Sequence, residues 1–261
     1  MKQNKLLNLL ARNAKRGEFR AEANTIYLYD MIVATKEEAA WFGGVDAETF
    51  VQAIRGMTGD VSIRINSPGG DVFAARAMAQ AIREHGGKVT AHVDGYAASA
   101  ASFVTSVADE TVMAPGSMLM IHKAWSIALG NADDFMATAS LLEKIDGTIA
   151  ETYVAAATKR GKEGADFEAL MAAETWLTGA EAVEVGLADS IAEDAPKASE
   201  TWDLSAYDKA PVSNDVSINI TIAVDTDTDE DAGVDPDEAA NNEIEAKRRQ
   251  NLAAMNLRAA A

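Results

Sequence analysis

A serine flanked by small residues lies near the middle of the chain, in the run Gly95-Tyr96-Ala97-Ala98-Ser99-Ala100. Small neighbours leave the Ser99 hydroxyl uncrowded, as a nucleophile requires. The glycine pair Gly69-Gly70 comes 29 residues before Ser99, and His122 follows 23 residues after it, behind an apolar stretch. Glycines let backbone N–H groups approach a substrate closely, and a neutral histidine can accept a hydroxyl proton. Together these residues suggest acyl transfer by a serine nucleophile with an oxyanion hole and a general base.

Each of these residues also has an ordinary structural interpretation. Ser99 could be only a helix cap or a small packing residue, and Gly69-Gly70 could simply close a tight turn. If Ser99 is instead a nucleophile at the start of a predicted helix, the Ala100 N–H is a natural oxyanion donor. Among the three histidines, His122 is the best-placed base because it ends a predicted strand. The group that orients the base stays open on spacing alone. The candidates are all acidic: Asp133, Asp134, Glu143, Asp146, Asp166, Glu168 and Glu174.

Composition excludes several other classes of protein. The chain has 261 residues, of which 48% are hydrophobic, so it can form one large domain or two small ones. It has no cysteine and three histidines, so we expect no disulfide, no metal centre and no cofactor. A net charge of −18 argues against nucleic acid as a partner. No apolar run approaches the roughly 18–20 residues of a membrane span.

The chain divides by composition into three parts. Residues 1–22 form a basic arm, residues 23–193 have the pattern of a folded domain, and residues 194–261 form an acidic tail. Within the tail, residues 225–245 carry ten acidic and no basic residues, a composition typical of a flexible segment. Helical character returns near the end, over residues 239–258.

Inside the folded part, predicted strands alternate with predicted helices. The strands are expected at residues 25–33, 61–65, 88–93, 110–113 and 118–122, and residues 187–191 close the folded part. The helices are expected at residues 46–57, 71–84, 97–107, 133–160, 166–172 and 179–185. This alternation predicts an α/β fold with mainly parallel strands and layered helices.

Four segments resemble the ClpP family of serine peptidases in the same order. They are residues 65–70 (Ile-Asn-Ser-Pro-Gly-Gly), 95–99 (Gly-Tyr-Ala-Ala-Ser), 120–122 (Met-Ile-His) and 176–191, which begins Trp-Leu-Thr-Gly. The resemblance covers about residues 25–193. It implies a ClpP/crotonase-type spiral of β-β-α units with a projecting long helix, here 133–160, and a homo-oligomeric ring.

The resemblance also implies a role for each matching residue. Ser99 is the nucleophile, His122 the base, and the N–H groups of Gly70 and Ala100 form the oxyanion hole. Glu174 stands where the family has its catalytic aspartate, so a longer carboxylate must orient the base. A peptide substrate would add as a strand beside two short segments. These segments comprise Gly69, Gly70, Asp71, Val72, Ala124 and Trp125.

The basic arm and acidic tail make the chain most similar to the ClpP-like head maturation proteases of tailed bacteriophages. That likeness implies capsid and scaffold proteins as substrates, a location inside the procapsid in the bacterial cytoplasm, and no need for an unfoldase ATPase. It also suggests that the arm and tail are removed by self-cleavage. Two alternatives stay open: a Ser–Lys protease like the signal-peptide peptidases, and an assembly ring without activity.

Overall fold

Strands and helices alternate along the computed structural model, which describes residues 5–193 and 202–211. The strands are β1 (Glu18–Glu22), β2 (Thr25–Tyr29), β3 (Val61–Ser67), β4 (Val89–Ala98), β5 (Glu110–Met113), β6 (Met118–Ile121), β7 (Thr175–Thr178) and β8 (Ser190–Ile191). The helices are α1 (Lys5–Arg12), α2 (Lys36–Phe42), α3 (Ala47–Arg55), α4 (Val72–Arg83), α5 (Ala100–Ser106), α6 (Ala132–Lys159), α7 (Phe167–Ala172) and α8 (Gly179–Val185). The predicted α/β class and the long helix near 133–160 are both confirmed.

One sheet organises these elements, in the order β1-β2-β3-β4-β5-β8. β1 and β2 form an antiparallel hairpin, whereas β2, β3, β4 and β5 run parallel. β4 is long enough to have two neighbours on one side. Its residues 90–93 pair with β5, and its residues 96–98 pair with β6, which in turn pairs with β7. The second half of β4 therefore brings residue 99 beside the end of β6.

Parallel strands must be covered by helices because both of their faces are apolar. The central strand β3 is buried along most of its length, with Ile63 and Ile65 fully enclosed. α4 covers it with an alanine-rich face that includes Ala75 and Met78. The small side chains of α4 allow the helix to pack closely against the sheet. This close packing makes the ends of the strands rigid.

The structure corrects several predicted boundaries. The strand expected at 25–33 ends at Tyr29, because Ile32 leaves the sheet edge to bridge Val45 and Gly70. The helix expected from residue 97 begins at Ala100, because β4 continues through Ala98. The segment 187–191, expected to close the folded part, forms strand β8 at its end. Helix α2 was not predicted, although Thr35 provides its N-cap.

Both segments outside the predicted folded domain contribute ordered structure. Residues 18–22 of the basic arm form β1, so the compositional boundary at residue 22 falls inside the β1–β2 hairpin. Residues 202–211 of the acidic tail lie against the domain, and Trp202, Leu204 and Tyr207 are buried there. The acidic run 225–245 and the helix predicted at 239–258 lie outside the described residues. Among the helices of the described ranges, none is long and apolar enough to cross a membrane.

Candidate active site

Ser99 lies at a sharp turn between the end of β4 and the start of α5. Its backbone has φ +53° and ψ −123°, a conformation that costs a non-glycine residue about 1–3 kcal/mol. The surrounding hydrogen bonds hold it there: the Ser99 N–H donates to the Met120 carbonyl at 2.9 Å, and the Ser102 hydroxyl donates to the Ser99 carbonyl at 2.6 Å. The Ser99 side chain makes no capping hydrogen bond. Ser99 therefore stands at the N-cap position of α5, but its hydroxyl does not cap the helix.

His122 follows β6 directly and faces the serine. Its Nε2 lies 2.7 Å from the Ser99 Oγ. The parallel register that aligns Ala98 with Met120 places residues 99 and 122 at adjoining strand ends. At this distance a neutral imidazole can accept the hydroxyl proton.

The glycine turn after β3 packs directly on the serine turn. Gly69 has φ +88°, and a Cβ there would lie 2.4 Å from the Ala98 carbonyl oxygen and 2.8 Å from the Ser99 Cβ. Gly70 has φ +145°. Among the described residues, the N–H groups of Gly70 and Ala100 meet no acceptor outside their own helix or strand. Unpaired N–H groups next to a nucleophile are what an oxyanion hole requires.

Replacing Gly70 by alanine is expected to destabilise the protein by about 3 kcal/mol or more, because a Cβ would lie 1.8 Å from the Ile32 carbonyl oxygen at a backbone conformation that L residues rarely adopt. Denaturant unfolding would measure the change. The matched control is Gly86→Ala, where nothing lies within 4 Å of the added Cβ and the stability should change by about 0.5 kcal/mol or less. Equal stability of the two variants would contradict the tight turn.

An aromatic environment surrounds the base. The His122 side chain is almost fully buried and packs edge to face against Trp125 at 4.6 Å and Tyr207 at 5.4 Å between ring centroids. Burial, with a smaller contribution from the nearby Lys5 ammonium, lowers the pKa of His122 from 6.5 to about 4. The imidazole is therefore neutral near pH 7, the form that a general base requires.

Glu174 does not contact His122 in this structure. Its carboxylate instead accepts the backbone N–H groups of Asp208 at 3.0 Å and Lys209 at 2.6 Å. Nor does the alternative Asp146 contact the base; it accepts the Ala124 N–H at 2.8 Å. In the part of the chain that the structure describes, the His122 Nδ1 has no hydrogen-bond partner. The structure thus brings together Ser99, His122 and the glycine turn but not the predicted third member.

A cavity of about 260 Å³ adjoins the Ser99–His122 pair. Most of the predicted peptide-binding residues line it: Gly70, Asp71, Val72, Ala124 and Trp125. Gly69 lies behind the turn, against Ala98. Part of its lining is apolar and includes Phe103, Ile145 and Tyr153. Such a cavity suits an apolar side chain of a bound peptide.

The cavity also has walls that the sequence did not predict. Leu6, Leu9 and Leu10 of α1 line it, and so does Tyr207. The leucine spacing of α1 marks an apolar helix face but not what that face covers. Tyr207 lies in the tail that was predicted from its acidic composition, and the apolar residues Trp202 and Leu204 nearby are the signal that could have predicted its burial. Within the described ranges, no group of three or more histidine, aspartate or glutamate side chains could hold a metal ion.

An α/β sheet that brings a strained serine, a histidine and a glycine turn together defines a hydrolase-like site. Comparison with known proteins agrees: the sequence profile of the family described as Clp protease matches residues 48–195. The chain belongs to this family.

Similar proteins carry the corresponding name. The ATP-dependent Clp protease proteolytic subunit of Porphyromonas gingivalis is 31% identical over 136 residues, which is 51% of this chain and 60% of that protein. Subunit 1 of the ATP-dependent Clp protease of Protochlamydia amoebophila is 34% identical over 131 residues, 49% of this chain and 62% of its own length. The chain therefore spans about three fifths of the curated relatives it matches.

Proposed function

We propose that this protein is a serine endopeptidase that hydrolyses peptide bonds by a Ser–His–acid mechanism. The observation that carries the proposal is the 2.7 Å hydrogen bond between the Ser99 Oγ and the His122 Nε2, at a strained turn beside two glycines. Membership of the Clp protease family supports the same chemistry. The neutral state of His122 near pH 7 supports its role as base.

In the proposed reaction, Ser99 attacks the carbonyl carbon of the scissile bond while His122 takes the hydroxyl proton. The oxyanion develops toward the N–H groups of Gly70 and Ala100, each worth about 10²–10³ in rate. His122 then donates the proton to the leaving amine, and water hydrolyses the acyl-enzyme by the reverse sequence. No step requires a metal ion or cofactor.

We assign the third position to Glu174, which must turn from the backbone of residues 208–209 to reach the His122 Nδ1. Glu174→Ala is expected to lower kcat for a small peptide ester at least tenfold, because an unsupported imidazole loses its orientation. The loss of two hydrogen bonds to residues 208–209 should act mainly on substrate access and so appear in KM. Steady-state kinetics separates the two effects, and an unchanged kcat would contradict the assignment.

The proposed substrates are capsid and scaffold proteins of a bacteriophage prohead, cleaved by a homo-oligomeric ring inside the procapsid. What supports this finer proposal is the sequence: a basic arm and an acidic tail accompany the family domain. The named relatives are subunits of ATP-dependent proteases, whereas we propose that no ATPase is needed here because assembly proteins expose cleavable segments.

Incubation of the purified protein with capsid and scaffold proteins tests this proposal directly. Cleavage in the absence of ATP and of any unfoldase is the expected result, and Ser99→Ala should abolish it. If the protein cleaves an unrelated unfolded protein but neither the capsid nor the scaffold protein, the substrate assignment is contradicted. The proposed peptidase chemistry would be unaffected by that result.

Two alternatives to the proposed function can each be tested by one experiment. A Ser–Lys mechanism is disfavoured because an imidazole, not an amine, contacts the Ser99 hydroxyl; full activity of His122→Ala would reverse that conclusion. An inactive assembly ring is favoured by the missing contact between Glu174 and His122. Covalent labelling of Ser99 by a fluorophosphonate probe distinguishes it, since an inactive serine would not react.

A further inference from the structure

Residues 202–211, here named the tail segment, are fixed firmly to the domain at their first residues. The Trp202 indole N–H donates to the Asn66 carbonyl at 3.1 Å, and its ring covers Gly17 so closely that a Cβ there would lie 2.5 Å away. Asn13, which is fully buried, pairs with Asp203 through two hydrogen bonds of 2.7 and 2.9 Å. Such buried, satisfied contacts are those of a specific docking site.

The middle of the tail segment reaches the nucleophile. The Tyr207 side chain is 4% exposed, and its hydroxyl donates to the Pro68 carbonyl at 2.6 Å, immediately before the glycine turn. Burial raises the pKa of Tyr207, and the nearby Ser99 side chain partly offsets that rise. The Tyr207 ring packs on His122 and, at 5.0 Å, on Trp125. Tyr207 therefore forms a wall of the cavity beside Ser99 and lies directly against the base.

The end of the tail segment binds the acid proposed for the third position. The carboxylate of Glu174 accepts two consecutive N–H groups, those of Asp208 and Lys209. The Lys209 ammonium donates to the Ala173 carbonyl, and Lys5 of α1 forms an ion pair with Asp208. While these contacts persist, Glu174 is unavailable to His122.

We propose that the tail segment is a built-in inhibitor, which closes the active site through Tyr207 and holds Glu174 away from the base. Peptide hydrolysis then requires the segment to leave, which opens the cavity beside Ser99 and frees the carboxylate in one movement. This inference rests on the proposed peptidase function. A merely structural strap would need its anchors at Trp202 and Asp203, but not a tyrosine ring packed on His122 with its hydroxyl bound to Pro68.

The rate of Ser99 labelling by a fluorophosphonate, measured on the full-length protein, tests the inhibition. Tyr207→Ala is expected to be labelled at least tenfold faster than the wild type, with Tyr207→Phe between them. Trp202→Ala should also accelerate labelling, because it loosens an anchor that touches neither Ser99 nor His122. The matched control is Trp41→Ala, an exposed tryptophan of α2 whose loss should leave the rate unchanged.

A synthetic peptide with the sequence of residues 202–211 provides a second measurement. Added to Tyr207→Ala, it should restore slow labelling, whereas a scrambled peptide should not. Equal labelling of the wild type, Tyr207→Ala and Trp202→Ala would contradict inhibition while leaving the proposed function intact. Absence of labelling in every protein, with Ser99→Ala as the blank, would contradict both.

Discussion

Replacing Ser99 by alanine is expected to lower kcat/KM for a peptide ester by about 10⁴-fold or more, and His122→Ala should lower it by a similar factor. The two side chains act as one unit, joined by the 2.7 Å hydrogen bond. Removing the second after the first should therefore cost little, so the double variant should resemble each single variant.

Steady-state kinetics of the three variants, with active-site titration to exclude traces of wild type, would measure these losses. Losses that multiply in the double variant would mean that Ser99 and His122 act independently, which contradicts the proposed proton transfer. To ensure that the inhibitory tail segment does not mask the effect, the same series should be repeated with Tyr207→Ala present in every protein.

The strained backbone at Ser99 should also affect the stability of variants at this position, independently of their activity. Because φ is +53°, alanine keeps the strain of the wild type while glycine relieves it. The free energy of unfolding of Ser99→Gly should therefore be about 1 kcal/mol higher than that of Ser99→Ala, although both variants should be inactive. Equal stability of the two inactive variants would indicate that the turn is not strained.

Local patterns were enough to predict the parts of the fold that depend on one element at a time. The alternation of β3 and the apolar face of α4 follow from side-chain periods of 2 and 3.6 residues, and both elements lie where expected. The long helix α6 was predicted to within one residue at each end. The approach of Gly69, Ser99 and His122 was anticipated from their order in the chain and a family resemblance, because strand ends gather at one edge of a parallel sheet.

Contacts between distant parts of the chain could not be predicted. Ser99 was expected at the start of a helix, but pairing of β4 with β6 extends the strand and forces the strained turn. Burial of Trp202 and Tyr207 depends on a surface formed by α1 and the domain, and no local pattern encodes that surface. The hydrogen bonds of Glu174 with residues 208–209 follow from the same docking, so no local pattern could predict them.

The protein is expected to lose about 3 kcal/mol of stability through His122 alone as the pH falls from 7 to 4. Burial among Trp125 and Tyr207, with the Lys5 ammonium nearby, lowers the folded-state pKa of His122 to about 4, against 6.5 when it is exposed. Between pH 4 and pH 6.5, His122 is protonated in the unfolded chain but remains neutral in the folded protein. Stability is therefore fully present above pH 6.5 and declines as the pH falls toward 4.

The difference between the wild type and His122→Gln isolates this contribution, because glutamine is neutral throughout the range. Groups whose folded pKa is also lowered, such as His92 and Asp109, are present in both proteins and cancel. Unfolding free energies measured by denaturant titration from pH 7 to pH 4 should thus decrease more steeply for the wild type. Parallel pH profiles would mean that His122 is solvated, and a solvated His122 is incompatible with a site closed by Tyr207. The pH profile of stability therefore tests the closure of the site without requiring that any peptide be cleaved.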